Sequence, residues 1–299
     1  MQTRTEPGRT VVVETVEGRD IEGRPAWFEE VVTETTQARD TTHTRQDVFR
    51  GTVNGQRRLA ETNESREETQ PNGNTGVHST WVPDVNGRLR LTSQLVTETR
   101  SLAPDVRRTD TTLLLPGLNE PLREIERTEY TERQVSPEVV RYEGAQLVRD
   151  ANGRWKPIEI RRGEVRKAGT DRVEEGTIQR PDLNGNLALK EVNVIRGSGT
   201  KGQEQVEIET YAPQKDVHNL DGRPPLSTRV RRTTTATADG GSYTVEEVEA
   251  RSRVSPNDPM RVVRRVVTTV SPGGPDEWVT QSQIFEIDPN GRLRLVRIE

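Results

Sequence analysis

The chain has 299 residues, no Cys and a net charge of −4, built from 44 basic and 48 acidic side chains. That excludes a disulfide framework and a thiolate metal site, and the balance of charges argues against a basic nucleic-acid footprint. Hydrophobic residues are only 29% against 31% charged; so few core-forming side chains exclude an ordinary compact globule of this length, and no apolar run is long enough for a transmembrane helix.

In chain order, a turn at Glu6-Pro7-Gly8 precedes an extended segment at residues 10–16. From there an Asn-Gly signal, or a degenerate form of it, recurs about every thirty-three residues. The clear anchors are Asn54-Gly55, Asn86-Gly87, Asn152-Gly153, Asn184-Gly185 and Asn290-Gly291. Glu22-Gly23-Arg24, Asn119-Glu120-Pro121, Asp221-Gly222-Arg223 and Asn257-Asp258-Pro259 fill the gaps. The steps are 32, 32, 33, 33, 32, 37, 36 and 33 residues. Asp84-Val85-Asn86-Gly87-Arg88-Leu89-Arg90-Leu91 returns almost letter for letter as Asp288-Pro289-Asn290-Gly291-Arg292-Leu293-Arg294-Leu295.

A second turn falls near the middle of each repeat, as at Pro71-Asn72-Gly73, Ala103-Pro104-Asp105, Ser136-Pro137-Glu138 and Asp239-Gly240-Gly241. Asn-Gly and Asp-Gly supply the positive φ that tight hairpin turns need. Between turns, Thr, Val, Arg and Glu dominate, as in residues 31–36 and 262–270. β-Branched residues fit a pleated surface better than a helix, and Arg88-Leu89-Arg90-Leu91 alternates with period two. Residues 244–250 have two Val three apart, but flanking turns make them a strand.

The expected fold is all-β: about nine tandem hairpin repeats in an antiparallel meander, as one domain over 1–299. The repeats are 22–53, 54–85, 86–118, 119–151, 152–183, 184–220, 221–256 and 257–289, with 290–299 plus 1–21 as a ninth, split repeat. That makes eighteen strands. Closure is expected, with the terminal half-repeats pairing to form a large barrel or a propeller-like toroid, because closure removes exposed edges. The alternative is an open meander that polymerises head to tail. A porin is excluded, since aromatic residues at 4% cannot furnish its girdles.

The Asp-x-Asn-Gly-Arg-Leu turns loosely resemble the YD/RHS repeats of bacterial secreted and surface proteins, without their Tyr and with a longer period. More closely, Asp150-Ala151-Asn152-Gly153-Arg154-Trp155-Lys156-Pro157 and Arg180-Pro181-Asp182-Leu183-Asn184-Gly185 resemble a group of uncharacterised, exported bacterial hairpin-repeat proteins. The resemblance implies no known activity. It sets an extracellular or periplasmic expectation, with Met1-Gln2-Thr3 read as a mature end bearing an initiator Met.

Little in the sequence carries chemistry. His43 and His78 are 35 residues apart, near one period, and a zinc site would need a carboxylate to complete it; these two and His218 read as surface residues. No Gly-x-Ser-x-Gly elbow occurs. Gly197-Ser198-Gly199-Thr200-Lys201-Gly202 lacks phosphate-loop spacing and reads as a widened mid-repeat turn. Trp27, Trp81, Trp155 and Trp278 share no repeat position and read as core fillers. No catalytic residue, metal ligand or cofactor is assigned. Gly23, Asn54, Gly55, Asn86, Gly87, Asn152, Gly153, Asn184, Gly185, Gly222, Asn290 and Gly291 are structural turn anchors. The expected function is a non-enzymatic exported scaffold or interaction protein. Two alternatives stand: a carbohydrate-binding or glycan-active toroid, and a fibre subunit joined through its terminal strands. The expected partners are accordingly the chain itself or a surface glycan, with no nucleic acid and no membrane span.

Overall fold

The computed structural model describes every residue except 1, 20–24, 53–55, 118–119, 214–223, 252–258, 275–276, 289 and 299. The chain forms two compact units. The first holds Met1–Thr131 and Gly144–Ile158; the second holds Glu132–Glu143 and Glu159–Glu299. The first contains β1 (Gln2–Glu6), β2 (Arg9–Arg19), β3 (Pro25–Ala38), β4 (Thr41–Thr52), β5 (Arg57–Gln70), β6 (Gly73–Pro83), β7 (Leu89–Ala103) and β8 (Val106–Gly117). Strands β9 (Glu120–Ser136), β10 (Val139–Arg149) and β11 (Trp155–Ala168) contribute residues to both. The second adds β12 (Asp171–Pro181), β13 (Leu187–Thr200), β14 (Gln203–Tyr211), β15 (Leu226–Ala236), β16 (Ser242–Ala250), β17 (Arg261–Gly274), β18 (Glu277–Ile287) and β19 (Leu293–Ile298).

Within each unit the strands pair antiparallel with their sequence neighbours, so the all-β hairpin-repeat reading stands. Residues 31–36, 244–250 and 262–270 lie in β3, β16 and β17. Most mid-repeat turns are two-residue hairpins. Pro7-Gly8 joins Glu6 to Arg9, Pro104-Asp105 joins Ala103 to Val106, and Lys201-Gly202 joins Thr200 to Gln203. Residues 201–202 are thus a tight turn and not a widened one. The extra length of that repeat falls between β14 and β15.

A feature of the backbone repeats with the sequence. Where the second strand of one hairpin pairs with the first strand of the next, the register skips one residue of the latter. The skipped residues are Ala26, four after Glu22, and Ala60, Thr92, Lys190, Ser227, Val263 and Val296, each six after its Asn or Asp anchor. These are β-bulges, which bend a strand and add right-handed twist. Two of them use their hydroxyl locally: Thr92 Oγ1 donates to the Thr80 carbonyl (3.0 Å) and Ser227 Oγ to the Thr210 carbonyl (2.8 Å).

The core is thin, as the composition requires. Among the described residues, Val48, Ile178, Val192 and Val194 are the buried hydrophobic ones. Hydroxyl ladders and ion pairs supplement the core. Thr97 meets Thr111, Thr99 meets Thr109 and Thr234 meets Thr244 at 3.1–3.3 Å, and buried Thr62 donates to Asp47 Oδ1 (2.6 Å).

Closure by the terminal half-repeats is overturned. Among the described residues β1 is registered against β2 and β19 against β18, and no register joins β1 to β19. The sheet edges are open, and the architecture is neither a barrel nor a propeller-like toroid. Among the described residues there are nineteen strands where eighteen were expected, and the additional one is β1. Pro7 followed by Gly8 at φ +74° makes a tight turn that folds residues 2–6 back onto β2. A two-residue loop closes at far lower entropic cost than a pairing across the whole chain.

Candidate functional site

The repeated loops show how their residues act. In Asp84-Val85-Asn86-Gly87-Arg88, Asp84 Oδ1 accepts from the Asn86 N–H (2.8 Å) and the Arg88 N–H (3.0 Å). The Gly87 N–H donates to the Asp84 carbonyl (2.9 Å), and the Asp84 N–H donates to the Arg88 carbonyl (2.8 Å). The same four bonds recur at Asp150, Asp182 and Asp288. Gly87, Gly153, Gly185 and Gly291 sit at φ +75° to +81°. A Cβ on any of them would meet nothing within 4 Å, so backbone conformation alone requires glycine.

Asn86, Asn152, Asn184 and Asn290 therefore contribute a backbone N–H, and the adjacent glycines a turn. Gly23, Asn54, Gly55 and Gly222 lie outside the described residues. The side chain that organises each loop is the Asp two positions earlier, which the sequence reading passed over although it recurs at all four sites. The other oxygen of three of these carboxylates takes a cation: Arg90 at Asp84 (3.2 Å), Lys156 at Asp150 (3.1 Å) and Arg294 at Asp288 (2.7 Å). The N–H of Arg88 and then of Asn86 hold the Asp84 carboxyl below the usual range; the N–H of Arg154 and then Lys156 do the same for Asp150. With one oxygen on backbone N–H groups at all four sites and the other beside a cation at Asp84, Asp150 and Asp288, these loops are built as turn locks and not as cation cups.

The strongest electrostatic cluster lies in the second unit. Glu209 on β14 is 5% exposed. It accepts from Arg196 (2.6 Å), Arg229 (2.8 Å) and Tyr211 (2.9 Å). Burial alone would raise its pKa; the hydrogen bonds from Arg196, Arg229 and Tyr211 outweigh that and bring it to about 2. Glu207 and Glu249 extend the ladder to Arg231 (3.0 and 3.2 Å). Glu159 is a second such centre, between Arg161 and Arg180, with Arg180 reaching Glu191 (3.4 Å). Every group in these ladders is matched by an opposite charge on a neighbouring position, which is the design of a sheet face and not of an acid–base pair.

The remaining candidates separate. His43 on β4 stands opposite Arg66, and His78 on β6 opposite Ser65. Arg66 and Ser65 are consecutive, so they point to opposite faces of the sheet, and so do the two imidazoles. They share no site. His218 lies outside the described residues, among which no cluster of three metal-ligating side chains occurs. Arg127 and Arg149 lie over the Trp155 ring, at 5.0 and 4.8 Å from its centre. Trp278 does not fill the core; it is 57% exposed. A hollow of about 830 Å³ lies along β13 beside Gly197 and Gly199. The charged pair on its wall, Arg172 and Glu174, is internally matched at 2.7 Å.

What is left unmatched is backbone. On the side of β2 away from β3, β1 is registered against residues 9–13 alone, its Gln2 opposite Val13. Among the described residues, 277–282 of β18 have no registered partner on the side away from β17, since the pairing with β19 ends at Gln283 opposite Ile298. The outer edge of β19 is also free among the described residues. Trp278, Val279, Leu295, Val296 and Ile298 are all about half exposed or more at this edge of the second unit. Bare edges are templates for another strand, and exposed apolar residues along one are not the usual protection. These edges are the candidate functional site. Neither a protein-family model nor a curated protein matches the chain.

Proposed function

We propose that this protein is a non-enzymatic β-repeat scaffold that joins to further copies of itself through its free sheet edges, as a subunit of a head-to-tail fibre. The supporting observation is the edge of the second unit, where bare backbone at residues 277–282 lies beside exposed Trp278, Val279, Val296 and Ile298. Strand addition there would satisfy N–H and C=O groups and cover apolar surface together. The matched charge ladders and locked turns suit a load-bearing sheet. Kinship with exported hairpin-repeat proteins, and an extracellular or periplasmic setting, belong to the same proposal; cell fractionation tests the setting.

Sedimentation velocity across a hundredfold concentration range tests the assembly. Growing oligomers are expected from the parent chain and monomers from the double variant Trp278→Lys, Ile298→Lys. Both side chains are more than half exposed, so the folded state should persist, which circular dichroism checks. A parent chain that stays monomeric throughout refutes the proposal.

A further inference from the structure

We infer that Asn184 is a site of spontaneous covalent modification, deamidation to aspartate and isoaspartate, and that the cations beside the other three loop carboxylates shield Asn86, Asn152 and Asn290 from the same reaction.

Each Asp-x-Asn-Gly loop sets an exposed Asn carboxamide directly before a glycine. Glycine has no side chain to crowd its own nitrogen, so the dipeptide carries both electrophile and nucleophile. The Gly main-chain nitrogen gives up its proton to water and attacks Cγ of the Asn. The Cγ–Nδ2 bond breaks, ammonia leaves, and a cyclic succinimide forms. Water then adds to one of the ring carbonyls. Opening on one side gives aspartate; opening on the other gives isoaspartate. Water is the one co-reactant, and nothing is oxidised or reduced.

For attack, the Gly nitrogen must turn toward the Asn side chain, so its hydrogen bond within the loop must first break. That bond runs to the Asp carbonyl in every loop: from Gly87, Gly153 and Gly291 at 2.9 Å, and from Gly185 at 3.0 Å. The Asp carboxylate keeps the loop shut by gripping the N–H groups on either side of the glycine, which at Asp182 are those of Asn184 (2.8 Å) and Asn186 (2.9 Å). What fixes the carboxylate itself differs among the loops. Arg90, Lys156 and Arg294, each six residues after its Asp, take the second oxygen. Six residues after Asp182 stands Ala188.

The exception has a physical cause. Arg180 is registered directly opposite Ala188 and is committed to Glu159 (2.8 Å) and Glu191 (3.4 Å). A cation at 188 would face it as a like charge across the strands, which is destabilising. The ion pairs that tie β11, β12 and β13 together thus leave the Asp182 lock with backbone partners alone among the described residues. An exposed ion pair shifts a local opening by roughly two- to fivefold, and Asn184 gains reactivity by that factor. Isoaspartate would route the main chain through the side-chain carbon and set a new carboxylate beside Asp182, so one event opens the lock between β12 and β13 irreversibly.

The test ages the chain in neutral buffer, digests it at mildly acidic pH and follows the four loop peptides by mass spectrometry, with isoaspartate resolved by chromatography. Each rate is divided by that of the same peptide in denaturant, which removes the effect of neighbouring residues. Asn184 is expected to convert roughly two- to fivefold faster than Asn86, Asn152 and Asn290. Lys156→Ala removes a side chain that is 66% exposed. It should raise Asn152 to the Asn184 rate and leave Asn86 and Asn290 unchanged, with the fold checked by circular dichroism. A folded chain in which Asn184 converts no faster than the other three overturns the assignment of the site. An Asn152 rate that Lys156→Ala does not change overturns the shielding by the cation.

Discussion

Replacing Glu209 by Gln tests whether buried ion pairs, and not apolar packing, hold the second unit together. The substitution keeps shape and removes charge. The pKa of Glu209 falls from 4.5 to about 2, and each unit is worth about 1.4 kcal/mol of differential interaction, so the upper bound is about 3 kcal/mol. Arg196 keeps Glu207 at 3.3 Å, and Arg229 keeps Glu249 at 3.4 Å. These remaining partners lower the expected loss to about 2 kcal/mol at pH 7. The sign follows from the depressed pKa: the contribution is fully present above the unfolded value near 4.5 and is lost as pH falls toward 2. Native-state hydrogen exchange of β13–β15 amides is the suitable assay, because repeat proteins often unfold in parts. The parent and the variant should differ by about 2 kcal/mol at pH 7 and converge near pH 2. A difference below about 0.5 kcal/mol, or one that does not change with pH, would refute the reasoning.

Other outcomes follow from the loops and the sheet. Asp84→Ala removes the acceptor for two N–H groups and should cost about 1–2 kcal/mol locally, read as faster exchange of the Asn86 and Arg88 amides. Gly153→Ala should cost about 1–2 kcal/mol by conformation alone, since its Cβ meets open space at φ +75°. Gly163→Ala should cost more in thermal unfolding, because its Cβ would lie 2.5 Å from both the Tyr142 ring and the Glu175 carbonyl. Equal melting temperatures for these two variants would contradict that ranking.

The period was legible because a hairpin turn demands positive φ, and Asn-Gly or Asp-Gly supplies it cheaply. The strands were legible because Val and Thr crowd a helix. Other features were hidden for physical reasons. The bulges at Ala60, Thr92, Lys190 and Val263 are backbone events that accept any side chain, so no residue marks them. Strand β1 is polar at every position and exists because Pro7-Gly8 folds it onto β2. Without it the first half-repeat looked available for closure with the last. The two His suggested proximity through their spacing, but a face depends on register parity, which spacing does not contain. Asp84, Asp150, Asp182 and Asp288 were visible and were overshadowed by the Asn-Gly that follows each.

The open edge itself is tested most directly by hydrogen exchange of residues 277–282 as a function of protein concentration. Every other amide of this segment faces away from β17. In dilute solution those amides should exchange as fast as unstructured ones, and they should become protected together as concentration rises and copies join. Amides that are fully protected at every concentration would contradict an open edge; amides that stay fast at every concentration would contradict assembly through it.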